Sequence, residues 1–144
     1  SLKITITDEE VKLYVNEKEN NIHKKEISTI YMEGKDLVFL STNGSELFRG
    51  QPESKKELVS EAFKKHWYPW EDKDPYENQY QRWVEDHPDY PQHVNALLSA
   101  RERALKNDES EEAKVLRKDL ADYGVVIRDQ DKRQYVRIVK GENQ

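Results

Sequence analysis

The chain has 144 residues, of which 35% are hydrophobic and 37% are charged, and its mean hydropathy is −1.09. A single compact domain must bury a continuous core, so a chain this polar is better explained by several small modules. The net charge of −5 excludes a global electrostatic attraction to nucleic acid or anionic lipid. The chain has no cysteine, which excludes disulfides and thiolate metal sites.

Disorder is the other explanation for so polar a chain, but three Trp, eight Tyr and three Phe favour ordered modules. No apolar run reaches the roughly 20 residues of a membrane span, and there is no signal peptide. The chain begins at Ser1 and enters an alternating apolar segment at once. We therefore expect it to be a piece of a longer protein with further segments upstream.

Residues 2–50 alternate between apolar and polar side chains, as do strands with one face in a core and one in water. Turn signals divide this segment at 8–10, 20–21, 33–35 and 43–44. The Asn-Gly pair at 43–44 predicts a type I′ hairpin, in which both central residues have positive φ. The pattern predicts about six short strands in an antiparallel sheet or small barrel.

An amphipathic helix is predicted after Pro52, because proline and an adjacent glutamate suit a first helical turn. Its apolar side comprises Leu58, Val59, Ala62, Phe63 and Trp67. A run of strands closed by one such helix resembles a pleckstrin-homology-like fold, in which the helix plugs one end of a bent sheet. Residues 1–67 are therefore the first predicted domain.

Residues 68–91 are predicted to be a packed connector that joins two modules. Residues 66–91 contain half of the aromatic residues of the chain and four of its prolines, and a flexible linker would not be this aromatic. Tyr76, Tyr80 and Trp83 are spaced to share one face of a short helix over 76–87.

The segment after Pro91 is predicted to begin with two helices. Asn107 and Asp108 separate them, and Asp108 with Glu111 suits a capping box for the second helix. Apolar residues recur at helical spacing on both. The stripe that these helices share with a following strand is Leu97, Leu98, Leu116, Leu120 and Ile127.

A β-hairpin is predicted to follow these helices. Gly124 is the expected residue at which the second helix ends. Short strands are predicted at 125–127 and 134–139, around a polar turn over 129–133. We therefore predict a third domain over 92–140.

The last third of the chain resembles the C-terminal tRNA-contacting module of cysteinyl-tRNA synthetases. Arg101 and Arg103 lie on a helix where that family is also rich in arginine. The family usually has a tryptophan where this chain has Val136, and loss of a ring removes a surface on which RNA bases stack. No synthetase active-site sequence is present. The matching residues follow without gaps: Ala113, Leu116, Arg117, Leu120, Gly124, Val125, Val126, Ile127, Asp129, Val136 and Arg137.

The whole arrangement resembles the soluble part of the YqeB family, bacterial membrane proteins in which two transmembrane helices precede such domains. The Trp-Tyr-Pro-Trp connector, Ala-Leu-Leu-Ser-Ala-Arg and Arg-Gln-Tyr-Val-Arg carry this resemblance. It implies an α+β fold: a small antiparallel pleckstrin-homology-like sheet capped by a helix, then a helical hairpin plus β-hairpin module, then a tail over 141–144. It also implies the cytoplasmic face of the cell membrane, reached through a segment absent from this chain, and it implies no activity.

A basic set in the last third is the strongest binding candidate, because arginines at helical spacing and a basic turn could clamp RNA phosphates. Acidic residues interleave and nearly cancel this charge, so an ordinary solvated face is the competing explanation. Arg101 and Arg117 could simply pair with carboxylates at i,i+4 spacing. The predicted RNA-binding residues are Arg101, Arg103, Arg117, Lys118, Lys132, Arg133 and Arg137, with Lys106 and Lys140 beside them.

Four aromatic residues form either a protein-binding groove or a core between modules: Trp67, Tyr68, Trp70 and Trp83. The spacing of His66, His87 and His93 matches no known metal site, and no nucleophile motif accompanies them. We therefore expect no enzyme, no metal and no cofactor. The sequence favours a non-catalytic interaction module with an unknown protein partner, and RNA, such as tRNA, is the alternative ligand.

Overall fold

The computed structural model describes residues 1–139 of the chain. They divide into two compact units, of which the first is Ser1–Glu77 and the second begins at Asn78. This division lies inside the predicted connector 68–91, so that segment is shared between the units instead of forming a third element. Lys140 and the predicted tail 141–144 lie outside the described residues.

The first unit has two three-stranded antiparallel sheets and one α-helix, which confirms the predicted α+β class. Its elements are β1 (Lys3–Ile6), β2 (Glu10–Val15), β3 (Lys18–His23), β4 (Ile27–Glu33), β5 (Asp36–Ser41), β6 (Glu46–Gly50) and α1 (Lys56–Lys65). The strand orders are β1-β2-β3 and β4-β5-β6. A short 3₁₀ turn over Lys24–Glu26 joins the two sheets.

The core of the first unit is built around Phe63 on α1, which is wholly buried. The ring of Phe63 meets Phe39 edge-on at 5.7 Å and Tyr68 edge-on at 5.5 Å, and it stacks on Trp70 at 6.1 Å. Edge-on and offset contacts of this kind add to the free energy gained from apolar burial. The first two aromatic residues of the predicted connector therefore belong to this core.

The chain after α1 runs back along the edge of β4. The amide of Ile30 donates to the Pro69 carbonyl at 2.9 Å, and the amide of Glu71 donates to the Ile30 carbonyl at 2.8 Å. These bonds cover an edge that would otherwise expose unpaired backbone groups.

α1 is shorter than predicted at both ends. It begins at Lys56 because Pro52 is held extended in a parallel bridge to Leu2. It ends before Trp67, whose positive φ of 62° turns the chain and leaves its side chain 86% exposed. The prediction that Trp67 lies on the buried side of the helix was therefore wrong. Leu58, placed on the same side, is also exposed.

Two turns in the first unit differ from prediction. The two-residue turn between β2 and β3 is Asn16–Glu17, with φ of 50° and 63°, while residues 20–21 lie within β3. At 43–44 only Gly44 has positive φ, at 90°, and its amide donates to the Ser41 carbonyl at 2.9 Å. This is a three-residue loop with a bulge at glycine, not a type I′ hairpin.

The second unit consists of a helical hairpin packed on a three-stranded antiparallel sheet of order β7-β9-β8. Leu98, Leu120 and Ile127 are wholly buried, so the predicted apolar stripe is confirmed. No helix among residues 1–139 is both long and apolar enough to cross a membrane. The elements are β7 (Gln81–Arg82), α2 (Gln92–Lys106), α3 (Ser110–Asp122), β8 (Val125–Gln130) and β9 (Arg133–Ile138).

The short helix predicted over 76–87 does not form. Tyr76 packs in the first unit, whereas Trp83 is buried in the second and its amide donates to the Gln134 carbonyl at 2.9 Å. Pairing of β7 with β9 holds this segment extended, so a long-range ladder overrides the local helical spacing.

Three further predictions concern the two ends of α3 and the turn of the β-hairpin. Gly124, with φ of 78°, ends α3 as predicted. The predicted capping box is absent, because Asp108 has positive φ and its carboxylate instead accepts from the Lys132 ammonium at 3.2 Å. The hairpin turn is only Asp131–Lys132, with φ of 53° and 63°, so both strands extend further into the predicted turn.

Candidate nucleic-acid interface

Arg101, predicted to contact RNA, is instead buried in the framework of the second unit, with only 3% of its surface exposed. Its two terminal nitrogens donate to Asp129 Oδ1 at 2.6 Å and Oδ2 at 2.8 Å. Its Nε donates to the Ala113 carbonyl at 3.0 Å, and the Gln134 side chain accepts a further bond at 3.2 Å. A bidentate, buried guanidinium of this kind is a structural group and is not available to a phosphate.

Arg117 joins the same network. Its Nη1 donates to the Ile127 carbonyl at 2.5 Å and its Nη2 to Asp129 Oδ2 at 2.8 Å. Asp129 therefore binds arginines from both helices and ties them to the end of β8. The predicted i,i+4 pairing with carboxylates was wrong, because the residues four positions away are Leu97 and Leu105 for Arg101 and Ala113 and Ala121 for Arg117. Asp129 is instead 28 residues from Arg101 and 12 from Arg117.

The other predicted basic residues do not form one patch on the helices. Arg103 and Lys118 are exposed on α2 and α3, and Arg103 lines a shallow polar depression with Glu85 and Asp86. Lys132 is in the hairpin turn. The remaining two, Arg133 and Arg137, lie on β9.

The residues of β9 divide between the two faces of the sheet. Val136 is in the core with Leu98, and the Gln134 amide donates to the Leu98 carbonyl at 2.8 Å, so even-numbered residues face the helices. Because side chains alternate along a strand, the odd-numbered residues Arg133, Tyr135 and Arg137 face away from the helices.

Neighbouring strands extend this outer surface, because directly paired residues lie on the same face of a sheet. Arg128 on β8 and Arg82 on β7 both pair with Tyr135, and Gln130 pairs with Arg133. We call this surface the basic sheet face. Its residues are Arg82, Val126, Arg128, Gln130, Arg133, Tyr135 and Arg137, together with Tyr80, whose ring lies against two of the arginines.

The ring of Tyr80 lies within reach of two guanidinium groups, with its centroid 4.7 Å from Arg128 Cζ and 5.6 Å from Arg137 Cζ. These distances are typical of cation–π contacts. Arg137 is buried, while Arg82 and Arg133 are exposed at the margin of the face. The face thus has an ordered arginine–tyrosine centre and an accessible basic margin.

The three described strands of this sheet contribute no carboxylate to the basic sheet face. Their acidic residue is Asp129, which pairs with Gln134 and points to the helices. The strands themselves therefore add arginines but no negative charge to this face.

Four residues of this face were not among the predicted RNA-binding residues: Tyr80, Arg82, Arg128 and Tyr135. The available signal was the period-two alternation Arg133, Tyr135, Arg137 on one strand. Val136, where the synthetase family usually has tryptophan, is buried in the core, so that position does not supply a stacking surface here.

The aromatic protein-binding candidates are divided between the two units. Tyr68 and Trp83 are buried in different cores, and Trp70 packs partly buried against the first. Tyr68 and Trp83 are therefore not open to a ligand, which corrects the groove interpretation for these two residues. Trp67 alone of the four is exposed.

Each histidine considered as a metal ligand has a different neighbour. His66 Nδ1 lies 2.7 Å from Asp8 Oδ1, whose pKa is lowered mainly by this hydrogen bond. The ring of His87 stacks on Tyr90 at 4.3 Å. No cluster of three His, Asp or Glu side chains suited to a metal is found among residues 1–139.

Comparison with known proteins gives a match for each unit. Residues 1–71 match the family described as the YqeB-like bacterial PH domain, and residues 87–137 match the cysteinyl-tRNA ligase anticodon binding domain. The uncharacterized protein YqeB of Bacillus subtilis is 40% identical over 137 residues, which cover 94% of this chain and 57% of that relative. The chain thus spans little more than half of the relative's length. No solved structure matches the chain at a significant level.

Proposed function

Because the chain belongs to the YqeB-like family of bacterial PH-domain proteins and its second unit is similar to an anticodon-binding domain, we propose that it is a non-catalytic binding protein that holds single-stranded RNA on the basic sheet face. The observation that carries this proposal is that two exposed arginines, Arg82 and Arg133, lie beside the half-buried ring of Tyr135 on the outer side of β7 and β9.

The chemistry of the face suits an unpaired strand. Single-stranded RNA is bound by positive grooves that follow the backbone and by aromatic rings or guanidinium planes on which bases stack. Arg82 and Arg133 are exposed cations at the margin. Tyr135 pairs with Arg82 across β7 and β9, lies two residues from Arg133 on β9, and is half-buried. Since the chain has a net charge of −5, binding depends on this local surface.

The proposal predicts that the double variant Arg82→Glu with Arg133→Glu binds tRNA and unstructured RNA at least tenfold more weakly at moderate salt. Loss of two phosphate contacts should also lower the slope of log affinity against log salt by about 1.4. Filter binding across a salt series measures both quantities. Both side chains are exposed, so the fold should be retained, and circular dichroism checks this.

The matched control is Lys114→Glu with Lys118→Glu, which changes the net charge equally but on the exposed side of α3. It should leave affinity within about twofold, since distant exposed charges are screened by salt. An equal loss in the control would mean that the basic sheet face is not the site. Tyr135→Ala should weaken binding without changing the salt slope, because stacking releases no counterions.

An acidic protein surface is the competing ligand for these arginines. Polyglutamate that binds as tightly as RNA, with no loss in Tyr135→Ala, would contradict the RNA proposal and favour a protein partner. Location at the cytoplasmic face of the cell membrane stays a prediction from the family resemblance. Recovery of the full-length gene product in the soluble cell fraction would contradict it.

A protein partner for the first unit is the second candidate function, and it is favoured by the exposure of Trp67, whose side chain is 86% exposed. Trp67→Ala should lower the recovery of such a partner in pull-downs with the purified chain. Unchanged recovery would remove Trp67 from the site.

A further inference from the structure

The outer edge of β1 is open along Ile4 and Ile6. On its inner side β1 pairs with β2, and beyond the strand end the Thr7 amide donates to the Glu10 carbonyl at 3.0 Å. Hydrogen-bonded and non-hydrogen-bonded pairs alternate in an antiparallel ladder. Thr5 therefore directs its backbone groups toward β2, while Ile4 and Ile6 direct theirs outward.

The structure bears out this alternation at Leu2. Leu2 is also an outward-directed position, and it forms the parallel bridge with Pro52. The chain then leaves the edge toward α1, so among residues 1–139 no strand pairs with the outer side of Ile4 and Ile6. The opposite edge of this sheet is β3, whose exposed residues are nearly all polar.

A groove of about 300 Å³, with both apolar and polar lining residues, lies beside this open edge, between β1 and α1. Ile4, Ile6, Leu58 and Ala62 are among its lining residues. Leu58 is 60% exposed, which is unusual for a leucine on the sheet-facing half of a helix. An edge strand with unpaired amides beside apolar surface is a template for pairing with another strand.

We propose that β1 pairs with β1 of a second copy of this chain, antiparallel and across a twofold axis at Thr5. This register places Ile4 of each copy opposite Ile6 of the other, so that outward-directed amides and carbonyls meet. It also places Lys3 of each copy beside the acidic hairpin turn 8–10 of the other, and the twofold axis makes this charge complementarity occur twice.

A second copy fits this edge because the strand is complementary to itself. The two sheets become one six-stranded sheet, and Thr5 faces Thr5, a pair that is favourable across strands. The same axis brings the two grooves together, which covers Leu58 of both copies. This interface uses residues of the first unit, shares none with the basic sheet face, and does not depend on RNA binding.

Cysteine cross-linking tests the register directly. Thr5 facing Thr5 forms a non-hydrogen-bonded pair with a Cα separation of about 4.5 Å, which lies within the range of a disulfide. The chain has no cysteine, so Thr5→Cys introduces a unique thiol. Mild oxidation of the full chain should give a covalent dimer that reductant reverses. Asn21→Cys on the exposed edge of β3 is the matched control, and equal cross-linking in both variants overturns the proposal.

Charge exchange at Thr5 tests the same axis in solution. Thr5→Lys alone and Thr5→Glu alone should each raise the dimer dissociation constant about tenfold or more, because like charges then meet at the axis. A mixture of the two variants should restore the dimer, as measured by sedimentation equilibrium. In Thr5→Glu the new carboxylate lies opposite Lys12 of the same chain, which favours folding of this variant. Thr5→Glu therefore tests the proposal even if Thr5→Lys folds poorly. A wild-type chain that stays monomeric, or a dimer that neither variant weakens, overturns the proposal.

Discussion

Replacement of Arg101 by alanine is expected to lower the free energy of unfolding of the second unit by about 3–5 kcal/mol, because it leaves a carboxylate and two carbonyl groups without their buried donor. Arg101 makes four hydrogen bonds, to Asp129, Ala113 and Gln134. Urea unfolding measures the change, and hydrogen exchange should show faster opening in residues 78–139.

Arg103→Ala is the matched control for this prediction, because it removes the same side chain from the same helix. Arg103 is exposed, and its hydrogen bond is to Ser99 at 3.2 Å. Its loss should cost no more than about 0.5 kcal/mol. If the two variants were equally stable, the Arg101 network would not hold the module together. Arg101→Lys should recover only part of the loss, because an ammonium cannot make the bidentate contact to Asp129.

Arg49→Ala is expected to destabilise the first unit by a similar amount, about 3–5 kcal/mol. The Arg49 side chain is only 7% exposed and lies 2.8 Å from Glu33, 3.1 Å from Asp36 and 3.0 Å from Glu46. Although burial alone would lower the pKa of this guanidinium, Glu46 and Glu33 raise it well above its ordinary value. Alanine at this position would leave three carboxylates facing one another, one of them buried.

Thermal and urea unfolding measure the effect of Arg49→Ala, and hydrogen exchange should place it in β4, β5 and β6. Lys35→Ala is the control, because it removes an exposed cation from the turn beside the same carboxylates. That change should stay within about 0.5 kcal/mol. A comparable loss in Lys35→Ala would show that general charge balance, and not the buried contacts of Arg49, stabilises the sheet.

Arg49 and Arg101 show that part of the high charge content of this chain lies inside its two units. A sequence that is 37% charged suggests a solvated surface, yet Arg49 and Arg101 each form the centre of an ion-pair network inside a small unit. Small cores gain cohesion from such networks when every donor has a partner. Arg82 and Arg133 stay exposed on the sheet, and they are the arginines of the proposed RNA site.

The proposed RNA site shows how much of a binding site local sequence patterns can predict. The similarity to a tRNA-contacting module was visible in the sequence from Ala113 to Arg137, and it points to the same unit as the proposed RNA site. It did not separate Arg101, which is buried, from Arg133, which is exposed. Both look alike in the sequence, and their roles depend on which face of which element they occupy.

The sequence by itself determined the features that depend on neighbours along the chain. Period-two alternation predicted the strands of the first unit, helical spacing predicted the buried Leu98 and Leu120, and Gly124 marked the end of α3. Such patterns are readable because side-chain direction and glycine conformation are properties of the local backbone.

Only the tertiary structure decided which distant residues meet. It paired Arg101 with Asp129, 28 residues away, and it divided the aromatic segment between two cores by pairing β7 with β9. It also placed Tyr80 against Arg128 and Arg137. The physical reason is that strand register and helix docking set these contacts, and both are governed by the burial of apolar surface over the whole unit and not by any short stretch of residues.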